Sequence, residues 1–244
     1  MSPVRTLFLR ELSGYFNTPV AYVFLVIFLM LAAALPFQLG ALYEARQASL
    51  QAFFSFHPWL YLFLMPAISM RMWAEERNTG SIELLLTLPV TIGQSVLGKF
   101  LAAWVFAGIA LALTFPIWIT VNYLGDPDNG VIFAGYIGSW LLAGGFLAVG
   151  AFMSALSKSQ VIAFILTVVV CFCLLMAGHR FVLDFVVGLF GRTLADAVAS
   201  MSFLTHFDAI AKGVVDLRDL VFFGTLIGLF LYATALVIDT KKAE

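Results

Sequence analysis

With 244 residues, 62% of them hydrophobic and 11% charged, the chain lacks the roughly one-quarter share of charged residues that keeps a soluble domain wet. A bilayer removes that difficulty, and lipid-facing surface then accounts for the 25 phenylalanines without a special site. The formal net charge of −1 leaves no basic footprint and excludes nucleic acid as an expected partner.

The first 18 residues read as an amphipathic helix. Val4, Leu7, Phe8, Leu12, Tyr15 and Phe16 recur at helical spacing, and Arg5, Arg10, Glu11, Ser13 and Asn17 take the other side. Such a stripe lies in the membrane interface or packs on neighbouring spans, and both readings give an interfacial helix. Asn17-Thr18-Pro19 then turns the chain into the bilayer. The apolar run that follows is too long for the core of a cleaved signal and is expected to stay as a span.

Six stretches approach the length of about 20 mostly apolar residues that a span needs. They are 19–43, the segment between Arg46 and Arg71, 100–124, 131–156, 160–178 and 220–238. The second is interrupted by His57-Pro58, which leaves 59–70 as its core. Pro36, Pro66 and Pro116 fall inside spans, where neighbouring helices satisfy the freed backbone groups. Gly135, Gly138, Ala143, Gly144, Gly145, Ala148, Gly150 and Ala151 crowd the fourth span and allow close helix approach. Cys171 and Cys173 lie two apart in the fifth span, so they point to different faces and neither a disulfide nor a metal site is expected. The six span cores hold essentially no ionisable residue, which argues against proton or sodium coupling.

An even span count puts both termini on one side. With the termini inside, Arg5, Arg10, Arg71, Arg77, Lys99, Lys158, Lys241 and Lys242 are inside and Arg46, Arg180, Arg192, Lys212 and Arg218 outside. Four of those five outer charges sit in the long connection 179–219, where the positive-inside rule weakens. The short loop with Asp126 and Asp128 carries no basic residue, so both termini are expected to be cytosolic.

The densest charge cluster lies in 71–99, around Glu75, Glu76, Arg77, Gly80, Ser81 and Glu83. Asn78-Thr79-Gly80 has turn composition, Ser81 suits an N-cap, and Glu83 in the first turn complements the helix dipole. Pro89 ends the element, leaving a helix of about seven residues, roughly 10 Å long. Ile82, Leu85 and Leu86 form its apolar face, and Leu84 and Leu88 cover much of the rest. Two burials account for such a helix: the membrane interface, or a groove on a soluble partner.

The run from Glu75 through Gly80-Ser81-Ile82-Glu83 and Leu85 to Pro89 resembles the coupling-helix signature of type 2 ABC transporter (ABC-2) permeases. The segment from His206 through Asp208, Lys212-Gly213 and Asp216 to Arg218-Asp219 is similar to the last outer loop of gliding-motility permeases and of permeases that help mature nitrous oxide reductase. The resemblance implies one membrane domain over 1–244, with an interfacial helix (1–18), a cytosolic coupling loop (71–99) and outer re-entrant helices (179–219). It implies an all-α integral membrane protein of six transmembrane helices in a bacterial inner membrane. A second permease chain, identical or related, and an ABC ATPase complete the assembly. Glu75, Glu76, Arg77, Gly80, Ser81, Ile82, Glu83, Leu85 and Leu86 would engage the ATPase. Phe181, Phe185, Val186, Asp216, Arg218 and Asp219 would belong to the outer segment. The stretch from Phe181 to Phe190 is apolar but too short to span.

The expected function is therefore the permease subunit of an exporter, not itself an enzyme. The chain has no GxxxxGK[ST] phosphate loop, so it should hold no cofactor, and ATP with Mg²⁺ would sit on the partner. The alternative is an anchoring subunit that relays ATPase motion to an extracytoplasmic partner without moving a cargo. Other chemistries find little support. His57, His179 and His206 form no HExxH pattern, and Gly150 with Ser154 forms no GxSxG elbow. His206 and Asp208 could ligate a metal only if folded together, against the simpler reading of capping or loop hydrogen bonds.

Overall fold

A computed structural model of the protein describes residues 3–38, 49–80 and 90–240. Every regular element among them is an α-helix. In chain order these are α1 (Pro3–Phe16), α2 (Pro19–Gln38), α3 (Gln51–Ser69), α4 (Arg71–Thr79), α5 (Ile92–Ala112) and α6 (Phe115–Leu124). They continue as α7 (Asn129–Leu156), α8 (Gln160–Met176), α9 (Arg180–Phe190), α10 (Arg192–Ala199), α11 (Phe203–Ala211) and α12 (Leu217–Thr240).

Five helical stretches among the described residues are long and apolar enough to cross a membrane: Ala21–Gln38, Gln51–Thr79, Ile92–Leu124, Asn129–Leu156 and Leu217–Thr240. A sixth exists if α8 and α9, bent by 79° across their junction, count as one. At 1.5 Å per residue α8 alone reaches about 26 Å, a little under the ~30 Å hydrocarbon core.

The 28-residue α7 is the axis of the bundle. It packs against α3, α4, α5, α8, α11 and α12. Its stretch from Leu142 to Ala151 is buried throughout, and the small residues in it let so many neighbours approach. Asp128 starts the helix by accepting from the N–H groups of Gly130 (2.9 Å) and Val131 (3.3 Å).

Three boundaries differ from the sequence-based expectation. α3 passes unbroken through Pro58 and Pro66, because Phe53, Phe54, His57 and Tyr61 are buried in the core and hold it helical. The third span starts at Ile92 rather than near residue 100, set by a reciprocal capping box between Thr91 and Gln94. It is then interrupted at Leu113-Thr114, where Pro116 cannot supply an N–H to the preceding turn. Thr114 Oγ1 donates to the Leu111 carbonyl there at 2.6 Å and lies 3.0 Å from the Tyr136 hydroxyl.

The apolar stripe of α1 packs on α5. Leu7 is buried against Gly98, and Tyr15 stacks on Phe106 with centroids 5.1 Å apart.

A reciprocal tryptophan pair joins α5 to α7. The Trp104 Nε1–H donates to the Trp140 carbonyl (2.8 Å) and the Trp140 Nε1–H to the Trp104 carbonyl (3.2 Å). The rings stack with centroids 4.2 Å apart. Each indole lies over the glycine four residues beyond its partner: a Cβ at Gly108 would fall 2.9 Å from Trp140 Nε1, and one at Gly144 2.8 Å from Trp104 Nε1.

Candidate functional site

Arg71, Glu75, Glu76 and Arg77 lie together on α4, and Glu76 and Arg77 reach across to neighbouring helices. Arg71 and Glu75, one turn apart, form a two-point pair: Nε donates to Oε2 at 2.8 Å and Nη2 to Oε1 at 3.2 Å. Glu76 reaches across to α5, where its Oε1 lies 2.7 Å from Lys99 Nζ. The same ammonium is 3.5 Å from Glu11 Oε1 on α1 and 5.3 Å from the centroid of the buried Trp73 ring. Only 6% of the Lys99 side chain is exposed, so its charge depends on these partners. Glu76 Oε2 is buried without a hydrogen-bond partner among the described residues.

Arg77 faces the opposite neighbour. Its Nη1 donates to the Ala155 carbonyl at 2.6 Å, which places a cation on one of the free carbonyls at the C-terminus of α7. Beside it, the Ser154 hydroxyl accepts from the backbone N–H groups of Trp73 (3.1 Å) and Ala74 (3.0 Å) and donates to the Met70 carbonyl (2.8 Å). α4 ends at Gly80, whose φ of +71° suits glycine, and Thr79 Oγ1 donates back to the Glu75 carbonyl at 2.9 Å. Ser81, Ile82, Glu83, Leu85 and Leu86 lie outside the described residues.

A cavity of about 450 Å³ opens beside this hub. Glu11, Arg71, Glu75, Glu76 and Lys99 line its polar end, and Ala21, Phe24, Ile68, Met72 and Phe106 its apolar end. Tyr15 also faces it; burial, reinforced by the Glu11 charge, pushes the Tyr15 phenol above its usual range.

The outer segment divides in two. Phe181 (78% exposed) and Phe185 (64%) sit on α9, which buries none of its residues, and Val186 is half-buried. α11 instead docks on the core through Phe203, His206, Phe207 and Ile210. Asp216 accepts from the Arg218 N–H at 3.1 Å, and both side chains are exposed. Asp219 is buried, with Oδ1 2.6 Å from His206 Nδ1. The other ring nitrogen, Nε2, lies 3.0 Å from the Ser200 carbonyl, which can only accept, so Nε2 carries a hydrogen. His206 therefore belongs with Asp219 rather than with Asp208, which is exposed, and no metal-ligand cluster occurs among the described residues. Cys171 is buried and Cys173 exposed, both as free thiols.

Sequence reasoning missed Lys99, Glu11 and Ser154. The Thr91-x-x-Gln94 capping pattern was the available signal for Lys99: it places the lysine inside a helix, where a charge needs a partner. In the sequence Ser154 invites comparison only with a nucleophile, and no sequence pattern pairs it with a backbone 80 residues away.

No curated protein matches the chain. Residues 63–238, which run from α3 into α12, match the family described as ABC-2 family transporter protein. The chain therefore belongs to the ABC-2 transporter family, as a multi-pass membrane permease subunit of an ABC transporter whose partner is an ABC ATPase.

Proposed function

We propose that this chain is the permease of an exporter and that α4, with the residues following Gly80, receives the motion of a separate ATPase. The observation that carries this reading is the wiring of α4. Glu76 ties it to α5 and, through Lys99, to α1, while Arg77 ties it to α7. A displacement of nine residues thus acts on three elements at once. Glu75, Arg77 and Gly80 set the base from which Ser81, Ile82, Glu83, Leu85 and Leu86 would enter a groove on the ATPase. ATP and Mg²⁺ would be held by that subunit, and this chain would carry no catalytic or cofactor site. Termini and α4 would face the cytosol of a bacterium. The apolar residues of α9, Phe181 and Phe185 among them, would meet a second permease chain or lipid on the outer side. In the anchoring alternative the same wiring would move an outer partner instead of a cargo, and a transport assay in sealed vesicles separates the two.

The test is copurification of the ATPase alongside permease abundance in the membrane. Leu85→Asp puts a charge in the proposed groove and is expected to lose the ATPase while the permease still inserts. Wild-type copurification and ATPase activity in that variant would assign residues 81–88 to the membrane surface. Glu76→Ala is expected to act on the permease itself, because Glu76 is turned inward to Lys99 and is not a rim charge.

A further inference from the structure

α3 and α4 form one 29-residue helical stretch, yet its hydrogen-bond ladder is open where they meet. In an uninterrupted helix the Ala74 N–H would donate to the Met70 carbonyl four residues back. Here the Ser154 hydroxyl stands between those two groups, accepting from Ala74 at 3.0 Å and donating to Met70 at 2.8 Å. Its second acceptor site takes the Trp73 N–H at 3.1 Å. A hydroxyl has one donor and two acceptor sites, and all three are used.

Closing the ladder would lose no hydrogen bond. The Ala74 N–H would pass to Met70 and the Trp73 N–H to Ser69, as in a regular helix. Ser154 would turn its hydroxyl to the Gly150 carbonyl of its own helix, a bond serines readily make. Three bonds are made in either arrangement. Gly150, one turn before Ser154, supplies the clearance: a Cβ there would lie 1.9 Å from Ser69 Oγ at the end of α3. Two positions four residues apart on α7 therefore grip both sides of the α3–α4 junction.

We propose that Ser154 is the positioning residue of α4, a displaceable hydroxyl that holds the α3–α4 ladder open in this state and releases it in another. The role in coupling rests on the reading above, whereas the displacement itself can be measured on the permease alone.

The measurement is amide hydrogen exchange at Trp73 and Ala74 in the purified full-length chain, without the ATPase. In Ser154→Ala the ladder is expected to close, so both amides exchange as slowly as in the wild type or more slowly. Ser154→Thr keeps the hydroxyl and should match the wild type. Exchange at least tenfold faster in Ser154→Ala would overturn the proposal, since the open geometry would then be fixed by its surroundings and the two N–H groups orphaned. Should Ser154→Ala not be recovered folded, Ser154→Cys, of similar shape but a weak hydrogen-bonder, takes its place with the same expectation. Failure of both to fold also overturns the proposal, because a displaceable group cannot be indispensable. Loss of ATPase copurification in Leu85→Asp is read independently of all these outcomes.

Discussion

Lys99→Met would leave Glu76 and Glu11 facing one another with no cation between them. Removing one partner of a buried ion pair costs roughly 3–5 kcal/mol, and partial exposure of both glutamates puts this case at or below the lower end. The combined variant Lys99→Met with Glu76→Gln is expected to recover most of the loss. Thermal unfolding of the four proteins of that cycle in detergent measures the coupling; additive losses would show that the pair contributes nothing. His57 behaves in the opposite way. It is fully buried among Phe28, Phe53, Phe54 and Tyr61, and among the described residues neither ring nitrogen makes a well-formed hydrogen bond. His57→Phe is expected to leave the unfolding temperature unchanged or raise it, because it removes two poorly satisfied polar atoms and keeps an aromatic ring. A large drop would reveal a partner that His57 takes up in another state. Glu75, Glu76 and Arg77 stand out in the sequence because charge is scarce in this chain, and Gly80 because it closes a turn composition. Lys99 does not, because apolar count alone places the start of its helix too late.

Periodicity and apolar length located the long helices, since a span must satisfy its backbone internally and the bilayer fixes its length. The breaks between them were harder to place, for they depend on tertiary partners. Pro116 interrupts its span and Pro58 does not, although each removes one backbone donor. The α8–α9 bend at Ala177–His179 left no stronger mark in the sequence than Gly178-His179-Arg180. Pairing between elements is equally hidden, and the tryptophan pair shows why. Trp104-x-x-x-Gly108 and Trp140-x-x-x-Gly144 are a repeated pattern only once α5 and α7 are known to touch. Gly144→Ala would drive a Cβ to 2.8 Å from Trp104 Nε1 and push the indole off its carbonyl. The expected loss is about 1 kcal/mol for each of the two hydrogen bonds disturbed. The near-ultraviolet circular dichroism of the stacked pair should collapse with it. An unchanged spectrum would mean that the rings do not stack in the membrane.

At the scale of the molecule, Thr79 and Asp126 lie beyond opposite ends of the Ile92–Leu124 stretch, so one membrane thickness should separate them. Single cysteines at 79 and 126, after replacement of Cys171 and Cys173, are expected to label from opposite sides, with 126 alone reacting with an impermeant reagent outside. Labelling of both from one side would reduce that stretch to a hairpin or a surface element. That the chain holds several spans was legible because it rests on length and polarity, but of the six expected, five qualify outright among the described residues and the sixth only if α8 and α9 count as one. Assembly around α7 was not legible, because nothing in one chain's pattern says which of its glycines receives Phe54, Ile210 or Ser69.

The Glu11–Lys99–Glu76 cluster also has a direction in time. Both carboxylates precede the lysine in the chain, and the nearer one leads it by 99 − 76 = 23 residues. At about 5–20 residues per second, that is roughly one to five seconds of synthesis. The ammonium thus leaves the ribosome with its counter-ions already made and never has to cross into a bilayer alone. The acids do wait, on the polar side of α1 and at the charged end of α4, where water can hold them. The first turns of α5 then supply the cation that α1 and α4 share, while the hydrogen bonds of α4 to Ser154 and Ala155 wait for α7.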